Sequence, residues 1–186
     1  MKKFLVTALF LVLTAAAAFA APLDSFKGQK GTLDIAGGTA HIPVMKEAAK
    51  RIMSANPDIR ITVAGGGSGV GVKQVGEGLA AIGNTGRALK KEEIEKYGLV
   101  SFPFAIDGVA VVISPASKVK ALTSAQVADI YSGKVTDWKE VGGEPGAINV
   151  YGREDGSGTR EVFTDKVLKK GAVSPSANVV SSNGAM

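Results

Sequence analysis

The sequence contains no cysteine, one histidine and one tryptophan among 186 residues. Each shortage removes a class of chemistry. Without cysteine there is no disulfide framework, no thiolate nucleophile and no thiolate metal ligand. With His41 as the sole histidine, a zinc site or a Ser-His-Asp triad has few available parts. His41 itself falls on the first turn of an expected helix and reads as a surface residue. Nor is there a basic run interleaved with aromatics, and Trp138 stands alone, so nucleic acid is not an expected partner. The formal net charge is +5, and two of those charges are Lys2 and Lys3. No Lys-Ser or Lys-Thr follows the glycines at 66–71, where Val72 stands instead, so a phosphate-cradling P-loop is excluded. The dinucleotide fingerprint Gly-x-Gly-x-x-Gly and the nucleophile elbow Gly-x-Ser-x-Gly are also missing.

What is present is globular composition, 45% hydrophobic and 21% charged, with 24 glycines. The first twenty residues stand apart. Lys2 and Lys3 precede an apolar run from Phe4 to Leu13, and Ala18-Phe19-Ala20 supplies small residues for cleavage after Ala20. That is the pattern of a secretory signal peptide rather than a membrane anchor, because the run is short for a span. No cysteine follows it, so a lipid anchor is not expected. The mature chain is expected to be exported, to the periplasm.

Beyond residue 20 the pattern alternates strand and helix. Leu33 and Ile35 alternate within Gly31 to Ala36, and Gly37-Gly38-Thr39 leads to a helix carrying Val44, Met45, Ala48, Ala49, Ile52 and Met53. Ile59, Ile61 and Val63 form a second strand before Gly65-Gly66-Gly67-Ser68-Gly69. A third apolar run, Leu79 to Gly83, ends in Asn84-Thr85-Gly86-Arg87, and a charged helix follows, capped by Gly98. Val109 to Ile113 reads as a buried strand. Thr123 and Gln126 form a capping box for a helix closed by Gly133. Ile148 to Tyr151 reads as a strand, the helix after it as Glu161 to Leu168, and Asn178 to Val180 as a last strand. Ser181 to Gly184 looks like one more helix start, which suggests an interrupted unit at the C-terminus. Alternation of this kind implies an α/β layered fold.

The turns share one design. Thr39, Ser68, Thr85 and the pair Ser157 and Thr159 each put a hydroxyl on a glycine-rich turn after a strand. Such turns lie at the C-terminal ends of strands, where open α/β sheets bind ligands. The stretch Gly152 to Arg160 adds the free N–H groups of a helix start and the planar cation of Arg153. Convergence of these turns would form a cage of neutral donors with two arginines, Arg87 and Arg153, suited to a small enclosed anion.

In combination, Ala36-Gly37-Gly38-Thr39, Gly65 to Gly69, Ala81 to Arg87, Asp107 to Ala110, Leu122 to Gly133 with Trp138, and Gly152-Arg153-Glu154-Asp155-Gly156-Ser157-Gly158-Thr159 resemble the periplasmic phosphate-binding proteins of phosphate ABC transporters, in the type II periplasmic-binding-protein superfamily. The resemblance implies two α/β lobes joined by a hinge, lobe one over residues 21–106 and an incomplete lobe two over 107–186, with the C-terminus truncated. It implies inorganic phosphate as ligand, held by Thr39, Ala40, Ser68, Gly69, Arg153, Asp155, Ser157, Gly158 and Thr159, to which the reading of the turns adds Thr85 and Arg87. Asp155 would orient Arg153 or accept from a protonated phosphate oxygen, and carry selectivity over sulfate. The turn from Asn84 to Arg87 departs from the family in having no carboxylate. Membrane permease subunits of an ABC importer would be partners, the protein a monomer without cofactor, and no reaction would be catalysed. The alternatives are a binder of sulfate, molybdate or tungstate, a metal-free phosphate-ester hydrolase, or an interaction protein that merely keeps the fold.

Overall fold

A computed structural model describes residues 23–186; the signal-peptide reading of residues 1–20 lies outside them. The central strand of the first sheet is β1 (Gly31–Gly37), flanked by β2 (Ile59–Gly66) and β3 (Ile82–Asn84), all parallel. The register sets Leu33 beside Ile61 and Ile35 between Val63 and Ile82. Thr32 and Asp34 are exposed while Ile35 to Gly37 are buried, so β1 turns Leu33 and Ile35 to the core and buries fully only at its C-terminal end.

The helix α1 (Ile42–Ala55) lays its apolar stripe on this sheet. Met45, Ala49, Ile52 and Met53 pack with Ile35 and Ile61 around one core. Pro43 sits in the first turn, where no N–H is needed. Asn56 ends the helix in an extended conformation, and its side-chain amide donates to the carbonyls of Gln29 (2.8 Å) and Phe26. The N-terminal segment is thereby tied to the helix end. α2 (Ser68–Gly76) and α3 (Lys91–Tyr97) complete this half, α3 closing on Gly98 at φ 63°, the left-handed conformation that glycine tolerates.

A second, two-stranded parallel sheet pairs β4 (Tyr151–Arg153) with β5 (Asn178–Val180). Between them runs α5 (Gly158–Lys166), and α4 (Ser124–Tyr131) precedes them. Tyr131 and Phe163 join these helices with ring centroids 4.5 Å apart. Two α/β units, each with its own sheet, make the two-lobed arrangement expected from the resemblance. The capping box at Thr123 forms as predicted, the Thr123 hydroxyl accepting from Gln126 N and the Gln126 side chain from Thr123 N.

Three boundaries differ from the pattern reading. Val109 to Ile113 is not a buried strand: it carries no ladder, and Val112 is 76% exposed. A strand needs a hydrogen-bonding neighbour, and none pairs with this run among the described residues. β4 begins at Tyr151 rather than Ile148, because the partner strand starts opposite it, Tyr151 facing Asn178. α5 begins at Gly158 rather than Glu161, because Ser157 caps it: its Oγ accepts from Arg160 N at 3.3 Å.

Candidate functional site

The five strands of the described residues all end at one region, and hydrogen bonds stitch their turns together. The turn after β1 meets the end of β3 where Gly38 N donates to Asn84 O (2.8 Å). The turn after β2 meets β1 where Gly67 N donates to Gly37 O (3.1 Å). Gly37 has φ 122°, and a Cβ there would overlap the Asn84 carbonyl, so only glycine lets these three strand ends close together. Ser68 opens α2 and is 1% exposed; its Oγ accepts from Gly86 N at 3.0 Å.

The second sheet reaches the same place. Gly69 N donates to Gly156 O (3.0 Å), and a Cβ on Gly158 would overlap Ser68 Oγ. Ser157 is likewise 1% exposed. Gly158 and Thr159 form the first turn of α5, where backbone N–H groups have no partner within the helix and the dipole is positive. Thr39 and Ala40 lie in a 3-10 turn over Thr39–His41. Thr39, Ala40, Ser68, Gly69, Arg153, Ser157, Gly158 and Thr159 therefore lie on turns that this stitching brings together.

Arg153, at the end of β4, is 4% exposed. A buried guanidinium must be paired, and this one is. Its Nε and Nη2 donate to the two carboxylate oxygens of Glu154, each at 2.8 Å, and Nη1 donates to Asn183 Oδ1. The guanidinium holds the Glu154 carboxyl below the usual carboxylate range. Asp155, expected to orient Arg153, does not do so. It is 96% exposed at its side chain and meets Arg160 at 3.3 Å. The orienting carboxylate is the residue before it in the chain.

Arg87 is also placed differently from expectation. Its Nη1 and Nη2 donate to the two oxygens of Glu93, at 2.8 and 2.7 Å. Its Nε lies 3.0 Å from Glu161 Oε2 without a hydrogen-bonding angle, a charge contact only. Lys90 Nζ reaches the same Glu161 oxygen at 2.8 Å. Glu93 hydrogen-bonding raises the Arg87 pKa, and Arg87 in turn lowers that of Glu93. The second arginine thus belongs to an ion cluster linking the turn after β3 to α5, and its charge is committed to carboxylates. Thr85 is turned inward, its hydroxyl donating to the Arg87 carbonyl at 2.9 Å. His41 makes an edge contact with Phe104, centroids 5.6 Å apart, and its Nδ1 lies 3.3 Å from Gly38 O.

Sequence reasoning missed Asn183, Glu154, Glu93 and Glu161. Asn183 was visible only as part of a polar turn; its contact with Thr39 spans 144 positions. Glu154 could have been found from its position beside Arg153. Chemically, the cluster offers hydroxyls, backbone N–H groups and one paired arginine. Among the described residues no group of three or more His, Asp or Glu side chains is placed to hold a metal ion.

Comparison with known proteins agrees with this geometry. Residues 26–186 match the model of the PBP superfamily domain. The phosphate-binding protein PstS of Bacillus subtilis is 40% identical over 149 residues, covering 78% of this chain and 50% of that protein. A crystal structure of a Clostridium perfringens substrate-binding protein, assigned to phosphate ABC transport and solved with bound phosphate, superposes with a TM-score of 0.75 at 37% identity, covering 83% of this chain and 63% of that one. An ABC-type phosphate transport receptor from Vibrio cholerae gives 0.64 at 34% identity, covering 83% and 64%. The chain spans about half the length of the curated relatives it matches. A match over nearly the whole described chain, on a parallel α/β fold whose strand ends gather hydroxyls around a buried arginine, places this protein in the PBP superfamily.

Proposed function

We propose that this chain is an extracytoplasmic solute-binding protein that captures inorganic phosphate between its lobes and hands it to the permease subunits of an ABC importer. One observation carries the reading: Ser68 and Ser157, each 1% exposed, come from different sheets and stand with Arg153 and Thr39 on one set of stitched turns. Neutral donors from two units with one cation suit a small tetrahedral oxyanion enclosed on both sides. Relatives named as phosphate-binding support the choice of ligand.

Thr39, Ala40, Ser68 and Gly69 would supply one half of the shell, and Arg153, Ser157, Gly158 and Thr159 the other. Thr85, Arg87 and Asp155 serve the frame. The lobes divide near residue 106, and capture is closure of one over the other about the connecting segment. No bond of the ligand is made or broken. Export through a cleaved leader at residues 1–20, and action as a monomer, complete the proposal.

Millimolar phosphate should raise the melting temperature measurably, since a ligand bound only by the folded state stabilises it. No shift with phosphate, but one with sulfate, molybdate or tungstate, would move the assignment to another oxyanion. Turnover of a chromogenic phosphate ester would move it to an enzyme.

A further inference from the structure

Glu161 stands in the first turn of α5, the helix opened by Gly158 and Thr159. A carboxylate there favours the helix, because the dipole is positive at that end. It also sets a negative charge close behind backbone N–H groups that are to hold an anion, and like charges repel. The position works against binding unless that charge is answered from elsewhere. It is answered across the cleft. Lys90 Nζ lies 2.8 Å from Glu161 Oε2, and Arg87 Nε lies 3.0 Å from the same oxygen. Both cations belong to the first unit, Arg87 to the turn after β3 and Lys90 to the N-cap of α3. Glu93 fixes them there: its two oxygens accept from Nη1 and Nη2 of Arg87, and Oε2 also accepts from the backbone N–H of Lys90 at 2.8 Å. Arg87 is thus held twice within its own unit, and Lys90 carries the attraction across.

We infer that Glu161 is a positioning residue for capture: with Lys90 it forms a latch at the rim that holds α5, and the N–H groups of its first turn, against the first unit when the lobes close. The inference rests on the reading of phosphate captured by lobe closure. The pair takes one residue from each unit, so it forms in the closed arrangement and parts in an open one. It slows release rather than speeding entry, since Glu161 repels an approaching anion while Lys90 attracts it. Its strength is modest. The Lys90 side chain is 54% exposed and that of Glu161 30%, so solvent screens the pair.

The test measures phosphate association and dissociation rates on the full chain, on Glu161→Gln, on Lys90→Met and on the double variant. At low salt Glu161→Gln should release phosphate about threefold faster than the wild-type protein. Lys90→Met should speed release in the wild-type background and add nothing in Glu161→Gln, because the partner is already gone. At about 0.5 M salt the release rates should converge, since rim charges are then screened. Simple repulsion between Glu161 and the anion predicts the opposite sign, tighter binding in Glu161→Gln. That result overturns the inference, as do an unchanged release rate or additive effects of the two substitutions, and each leaves the phosphate reading standing. If Glu161→Gln does not fold, as shown by loss of its ligand-free melting transition, an unchanged release rate in Lys90→Met overturns it equally. Binding of no phosphate by the wild-type protein removes the phosphate reading itself, and the latch with it.

Discussion

Ser68 and Gly158 face each other so closely across the two sheets that a Cβ on the glycine would overlap the serine Oγ. One residue opens α2, the other α5, and both are buried. Their approach brings the two helix starts to one point.

The first prediction follows from that contact. Gly158 is the first residue of α5, so the helix itself has little to gain from Gly158→Ala. Across the cleft the substitution must push Ser68 away. The variant should lower the ligand-free melting temperature and lose phosphate affinity by tenfold or more in calorimetry. Retained affinity would mean that the two turns need not approach for binding.

Arg87 yields a second prediction. Its guanidinium is held by Glu93 and Glu161, with only 7% of the side chain exposed. Removing one partner of a buried pair strands the others, at a cost of about 3 kcal/mol. Arg87→Ala should therefore lower stability in urea titration, and phosphate affinity only as far as the fold is weakened. A large loss of affinity at unchanged stability would return Arg87 to the ligand shell.

The same pair sets a pH dependence. Glu93 has its pKa lowered from 4.5, chiefly by hydrogen bonding to Arg87. A depressed folded-state pKa contributes stability that is present above the unfolded value and is lost as pH falls through the folded one. Melting temperature should hold down to about pH 5 and then decline, more steeply in the wild-type protein than in Glu93→Gln, which has no such proton to take up. Parallel curves for the two proteins would show that the pair contributes nothing in acid.

Much of this organisation was legible in the sequence, and what was not has a common cause. Leu33 and Ile35, with Ile61 and Val63, announced β1 and β2 because their alternation with Asp34, Arg60 and Thr62 marks strands that turn one face to a core. Ser157 and Thr159 were legible because a helix start states its chemistry locally. Val109 to Ile113 misled because apolar character says that a segment can be buried, while pairing is decided by a neighbour. Arg87 and Asp155 misled for the same reason. A charged side chain has several partners in reach, and the choice between Glu93, Glu161, Glu154 and Arg160 is made by contacts between turns far apart in the chain.

The carboxylates beside Arg153 give the last prediction. Glu154 holds the guanidinium with two hydrogen bonds, whereas the Asp155 side chain is 96% exposed. An exposed pair of this kind contributes at most about 1 kcal/mol. Asp155→Asn should leave both phosphate affinity and the phosphate-to-sulfate ratio within about threefold of the wild-type protein. Glu154→Gln keeps the shape of the side chain but removes the charge and turns one acceptor into a donor facing the arginine. Arg153 then loses the partner that fixes its plane, and phosphate affinity should fall by about tenfold or more, with the larger share in the dissociation rate. Calorimetry on the two variants side by side decides between the neighbours. The reverse ranking would mean that Asp155 turns inward when phosphate is bound.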